Sequence, residues 1–336
     1  MKVLHFWFKN ARLTALPQSI LPAILAAIMA FNYSDFSFFY AVLSIFGVIF
    51  AHLSINLFDD YFDYKNQNVK IRAELAENKL FSRIGKCDYL INKQATTKQL
   101  FIAATAFLFV AIVLGGIIFL YRGKFILFLG LIGGFLGLFY SAKPICLSYR
   151  GLGEIVVGIM FGLLLMIGVF YSSCGIYNST IVIISAAVGL LVTNILFVHS
   201  ILDYLPDKHT GKKTLATLIR SNKGRFIVLC FTNLSPFLLI GYGVYTSVLT
   251  LWYLLTFLSL PLACCLIYMF VVFFRNPQKK FTPKFWYGFM ENWDKISQNG
   301  VDWFMIRWYL ARNLTVFFCL LAIIASLLSQ FNVFYL

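Results

Sequence analysis

Polar positions in this chain come in short bursts between long apolar runs. Nine runs approach or reach the roughly 20 apolar residues that a helix needs to cross a bilayer: residues 16–33, 38–58, 99–121, 125–141, 153–172, 180–202, 226–245, 250–274 and 314–331. Lipid offers no partner to backbone N–H and C=O groups, so each run is expected to be helical. The pattern predicts an all-α polytopic membrane protein of about nine transmembrane helices. Composition agrees: 60% of the 336 residues are hydrophobic and 12% charged. A water-soluble domain of this size could not solvate that balance.

Charge sets the orientation. With the N-terminus in the cytoplasm, 26 of the 28 Lys and Arg residues fall on that side, and only Arg122 and Lys124 fall outside. The nine-run count then places the C-terminus outside. The net charge of +15 describes a basic face towards anionic lipid or an anionic substrate, and no segment resembles a nucleic-acid-binding module. Lys9 and Arg12 precede the first run without a small-residue cleavage site, which reads as a retained helix in an inner, cell membrane. The seven cysteines lack metal-ligand spacing and read as small apolar packing residues. The sequence sets no oligomeric state.

Two acidic motifs end the second and sixth runs. The first is Asn56-x-x-Asp59-Asp60-x-x-Asp63; the second is Asp203-x-x-x-Asp207 followed by Gly211-Lys212-Lys213-Thr214. At 100° per residue the first set shares one helix face, as do His199, Asp203 and Asp207. The matching positions predict two four-helix halves plus one further helix. If the helix ends converge, up to five carboxylates surround one cavity. Such a group would need cations, and Mg²⁺ suits it because it takes oxygen ligands and bridges carboxylates to phosphates. Taken singly, either motif also reads as interfacial charge paired with basic neighbours, and 211–214 as a solvated turn. Beside Asp207, Lys212 and Lys213 can reach a diphosphate.

A third segment, 140–154, joins the fourth and fifth runs on the same side. Lys143 and Arg150 could neutralise a leaving group and Tyr140 could donate a hydrogen bond to it, although basic anchoring alone also explains the two cations. Glu154 opens a span, where an acid needs a partner or a task.

These residues resemble the UbiA superfamily of intramembrane prenyltransferases, and within it the 1,4-dihydroxy-2-naphthoate polyprenyltransferases. The resemblance rests on Ala11-Arg12 with Leu16-Pro17-Gln18-Ser19 and Pro22, on Asp60-Tyr61-Phe62-Asp63-Tyr64-Lys65, on Tyr140 through Glu154, and on Asp203 through Ala216. It implies one UbiA-type domain over residues 1–336. Asp60, Asp63, Asp203 and Asp207 would be the metal-facing catalytic acids, joined by Lys143, Arg150 and Tyr140. Asn56, Asp59, Lys212, Lys213, His199, Ser200, Glu154 and Arg12 would contact substrate. The implied cofactor is Mg²⁺, and the implied partners are a polyprenyl diphosphate donor, an aromatic acceptor and the lipid bilayer. The chain departs from the family at Asp59, commonly Asn, and at Gln67, often Asp. It departs again at His199, Ser200 and Leu202, where the naphthoate branch has paired Asn and then Arg.

Residues 276–313 form an unusually long connection rich in Trp and Phe among basic residues, the composition of an interfacial segment. Two other readings of the chain remain: a cation-coupled transporter, which would need ionisable or broken-helix positions near mid-bilayer, and a non-enzymatic scaffold. Within the family, 4-hydroxybenzoate or another aromatic or lipid alcohol is the competing acceptor.

Overall fold

The computed structural model describes residues 2–65, 87–277 and 279–331. The substitution at Gln67 and most of the loop after the first acidic motif lie outside the described residues. Those described are helical apart from connections, with one isolated β-bridge between Arg150 and Lys213.

The helices are α1 (Lys2–Asn10), α2 (Pro17–Met29), α3 (Phe38–Lys65), α4 (Asp88–Ile91), α5 (Thr97–Arg122), α6 (Lys124–Phe139) and α7 (Gly153–Cys174). They continue as α8 (Ser179–Leu202), α9 (Tyr204–His209), α10 (Leu215–Leu218), α11 (Asn222–Tyr245), α12 (Leu251–Arg275), α13 (Trp293–Gln298) and α14 (Asp302–Phe331). Among the described residues, seven are long and apolar enough to cross a membrane: α3, α5, α7, α8, α11, α12 and α14. The other two of the nine predicted spans, α2 and α6, have only 13 and 16 residues. At 1.5 Å per residue they reach roughly 20 and 24 Å, short of a hydrocarbon core of about 30 Å. Composition shows where the chain is apolar, but helix length depends on where the caps fall.

The caps are local. Thr96 and Gln99 form a reciprocal capping box at the start of α5; Asn178 accepts from Ile181 N at the start of α8, and Ser221 from Gly224 N at the start of α11. Between α5 and α6 stands a single residue, Gly123, at φ 81°, a left-handed value that favours glycine. Arg122, predicted on the outer side, donates to the carbonyls of Ser172, Ser173 and Asp35 at 2.9–3.0 Å, covering the open end of α7.

The helices α3 and α5 pack along one another, as do α8 and α11, which are the corresponding pairs of the two predicted halves. The helices α7 and α8 cross with their backbones in contact. A Cβ on Gly162 would overlap the backbone of Gly189 and lie 2.6 Å from Ser185 O, and one on Gly158 would lie 2.7 Å from Gly189 O. Small residues four apart let the backbones touch where lipid gives no hydrophobic drive to helix association. Mid-bundle polar groups satisfy one another: Asn194 Nδ2 donates to Asn233 Oδ1, Thr232 Oγ1 to Asn194 Oδ1, and Asn233 Nδ2 to Ala263 O.

The long connection differs from its predicted bounds, because α14 begins at Asp302 rather than after residue 313. Arg307 and Arg312, counted as cations of the basic face, are buried in this helix. Arg307 donates to the carbonyls of Met269 and Trp303, and Arg312 to that of Phe289. Asn313 donates to Tyr287 O and Phe289 O, so the aromatic segment folds back on α14.

Candidate active site

The last turns of α3 present the first motif. Asn56 Nδ2 donates to Ala11 O at 2.9 Å and fixes the residue preceding Arg12. Arg12 itself has φ 64° and ψ 57°, a conformation that costs a non-glycine residue on the order of 1–3 kcal/mol and persists only where its surroundings hold it. The holders are two acids: the guanidinium pairs with Asp60 and lies 3.3 Å from Asp59. Burial alone would lower the Arg12 pKa, but Asp60 and then Asp59 outweigh it and raise it, so the cation persists. Tyr89, in α4, donates to Asp60 Oδ2 at 3.1 Å; burial first, and then Asp60, raise its pKa and keep it a donor. Ser141 Oγ donates to Asp59 Oδ1 at 2.6 Å.

Asp63, one turn on, is buried and accepts from the Tyr149 hydroxyl at 2.7 Å. The Lys212 ammonium stands 5.7 Å from the centroid of the Tyr149 ring, and the bridge between Arg150 and Lys213 joins the same two segments. The first motif, the 140–154 segment and the turn after the second motif therefore meet at one end of the bundle.

The second motif starts at the end of α8. Asp207 N donates to Asp203 O, so the two buried acids lie one helical turn apart, and Lys212 N donates to Asp207 O to close the turn. His199 Nδ1 is 3.4 Å from Asp203 Oδ2, and its ring meets Phe304 of α14 edge-on at 5.2 Å. Glu154, also buried, accepts at Oε1 from Ser200 Oγ at 2.6 Å and from Leu215 N at 3.1 Å. Tyr140 carries its hydroxyl beside Gly153, where it would lie 3.5 Å from an added Cβ. Lys143 and Arg150 are exposed at the rim, and Arg150 donates to Pro144 O.

Among the described residues, no group of three or more His, Cys, Asp or Glu side chains stands close enough together to hold a metal ion by itself. Charge repulsion is relieved locally instead: Asp59 and Asp60 turn to Arg12, Tyr89 and Ser141, and Asp63 to Tyr149. The donors still suit Mg²⁺, which is commonly held by one or two carboxylates together with substrate phosphates rather than by an all-protein cage.

Tyr89, Ser141, Tyr149 and Phe304 are additions to the predicted set. Tyr149 and Ser141 lie inside the 140–154 segment and could have been named from it. The contacts of Tyr89 and Phe304 depend on how distant helices meet.

The UbiA prenyltransferase family profile matches residues 19–293. The chain belongs to this family. As a UbiA member it is a prenyltransferase and an integral, multi-pass membrane protein. The 1,4-dihydroxy-2-naphthoate octaprenyltransferase of Bacillus subtilis is 26% identical to it over 246 residues, 73% of this chain and 76% of that relative. Two solved structures share the UbiA fold at low identity. A digeranylgeranylglyceryl phosphate synthase superposes with a TM-score of 0.64 at 16% identity, covering 97% of this chain and 99% of that one. A UbiA homolog from Archaeoglobus fulgidus bound to GPP and Mg²⁺ gives 0.57 at 15%, covering 94% and 99%. The UbiA profile stops short of α14, which carries Phe304.

Proposed function

We propose that this UbiA enzyme transfers a polyprenyl group from a polyprenyl diphosphate to 1,4-dihydroxy-2-naphthoate, with its site at the cytoplasmic face of the inner membrane, its N-terminus inside and its C-terminus outside. The observation carrying this reading is that Tyr149 joins Asp63 of the first acidic motif to Lys212 in the turn after the second, and the relative named as a 1,4-dihydroxy-2-naphthoate octaprenyltransferase supports it.

Bound Mg²⁺ would supply charge neutralisation on the diphosphate. One or two of Asp63, Asp203 and Asp207 would hold it together with the diphosphate; Asp60, expected among the metal-facing acids, instead joins Asp59 in holding Arg12, whose guanidinium would meet the same diphosphate. Lys212, Lys213, Arg150 and Lys143 take up the negative charge that grows on the leaving group as the allylic C–O bond breaks, and Tyr140 donates a hydrogen bond to it. The acceptor ring then forms the new C–C bond with the allylic cation and releases its ring proton. Helix walls keep water from capturing the cation first. His199 and Phe304 border the acceptor's side of the site.

The test is an assay of proteoliposomes with Mg²⁺, a polyprenyl diphosphate and a panel of aromatic acceptors, read by product mass. A prenylated naphthoate product is expected. Absence of any prenylated aromatic product would overturn the assignment.

A further inference from the structure

Glu154 was expected to touch substrate, and its surroundings give it a different task. Its carboxyl is buried at the start of α7, and one oxygen, Oε1, takes two hydrogen bonds. Ser200 Oγ supplies the first from the end of α8, four residues before the second motif's turn into α9. Leu215 N supplies the second, directly after the 211–214 stretch. Leu215 is the first residue of α10, and its N–H is one of the donors that a helix cannot satisfy from within. The Thr214 side chain caps Thr217 N instead. The same two segments are joined at three further points: the bridge between Arg150 and Lys213, the Lys212 ammonium over Tyr149, and Leu218 seated against Gly151, whose φ of 78° and close neighbour leave no room for a side chain.

We propose that Glu154 is a positioning residue that pins the turn 211–215 over the acids, so that Lys212 and Lys213 stand ready for the donor diphosphate before it binds. This rests on the reading that those two lysines meet the diphosphate. A pinned turn spares the ordering of two long side chains on binding, and its loss is felt mainly as weaker donor binding.

Two variants isolate the contact. Glu154→Ala removes the acceptor of both hydrogen bonds, whereas Glu154→Gln keeps an oxygen at the same place. From the other side, Leu215→Pro deletes the N–H at the helix position where proline is best tolerated, Thr214 before it being already extended at ψ 166°, and Leu215→Ala, which keeps the N–H, controls for the core-packed side chain lost with it. In hydrogen exchange on the full-length protein in detergent, the amides of 212–218 should exchange at least tenfold faster in Glu154→Ala and near the parent rate in Glu154→Gln. In kinetics, Glu154→Ala and Leu215→Pro should each raise KM for the donor about tenfold, on the scale of one charge-assisted hydrogen bond. Their kcat and acceptor KM should stay within about threefold, and the double variant should add little to either single change. Unchanged exchange in Glu154→Ala overturns the pin whatever the activity. Faster exchange with an unchanged donor KM overturns its link to donor binding. A Glu154→Gln protein as impaired as Glu154→Ala also rejects the pin. If the parent protein transfers no prenyl group but the exchange pattern holds, the pin stands and the substrate reading fails.

Discussion

The phenol of Tyr149 donates to Asp63 Oδ1 over 2.7 Å. Its ring meanwhile faces the Lys212 ammonium, so one side chain connects an acid of the first motif to a cation of the second. The connection is neutral and charge-assisted at once: the phenol relieves Asp63 without neutralising it.

Removing that hydroxyl in Tyr149→Phe should lower kcat/KM about five- to tenfold, the scale of one such hydrogen bond. Asp63→Ala and Asp207→Ala should cost at least 100-fold, on the order of a lost electrostatic contact in the transition state, while the protein still folds in membranes. Transfer should vanish with chelator and return with Mg²⁺. Single-turnover assays with and without EDTA measure all three.

Orientation is testable at single positions. Lys93, Lys124 and Lys208 are exposed, and cysteines placed there in a background without accessible native thiols should divide by side. Lys93→Cys and Lys208→Cys should label only from the cytoplasm and Lys124→Cys only from outside, as the distribution of Lys and Arg requires. Labelling of Lys93→Cys and Lys208→Cys from opposite sides would separate the two acidic motifs.

Acceptor choice is decided by competition. With 1,4-dihydroxy-2-naphthoate and 4-hydroxybenzoate at equal concentration, prenylated naphthoate should predominate, because a fused hydroquinone is the more electron-rich trap for an allylic cation. His199, whose ring meets Phe304, is one of the residues proposed to border the acceptor, and His199→Asn should shift the product ratio more than the total rate. A majority of prenylated benzoate would reassign the acceptor and leave prenyl transfer intact.

The α7 and α8 crossing predicts a sharp contrast between glycines. Gly162→Ala places a methyl against the Gly189 backbone and should destabilise the protein by about 1–3 kcal/mol or more, read as a lower unfolding midpoint in detergent. Gly133→Ala in α6, where no atom lies within 4 Å of an added Cβ, should leave the midpoint unchanged or slightly raised.

Much of this was legible in the residues. Apolar runs located all nine helical segments, because lipid admits few alternatives, and the two acidic motifs announced themselves as charges at the ends of apolar helices. What the runs could not give was length: Pro17 and Gly123 fix where α2 and α6 begin or are bounded, and an apolar residue beyond a cap still looks like part of a span. Helical periodicity put Asp59, Asp60 and Asp63 on one face but could not name their partners, since Tyr89 and Tyr149 lie 29 and 86 residues further along the chain and Arg12 lies 48 residues before Asp60. The buried Arg307 misled the charge count for a related reason: a basic residue near a helix end reads as an anchor until carbonyls such as Met269 O are found around it.

The contact of Gly158 and Gly162 with Gly189 also governs how the molecule can breathe. Two helices whose backbones touch have no side chains between them to repack, so α7 and α8 must shift together or not at all. Because α8 ends at Asp203, its C-cap, and α7 carries Glu154, the scaffold that leads to the second motif is stiff from mid-membrane to its tip. The short helix α6 is held differently: half of its residues are exposed and three of its glycines face open space, so nothing locks its backbone to a neighbour there.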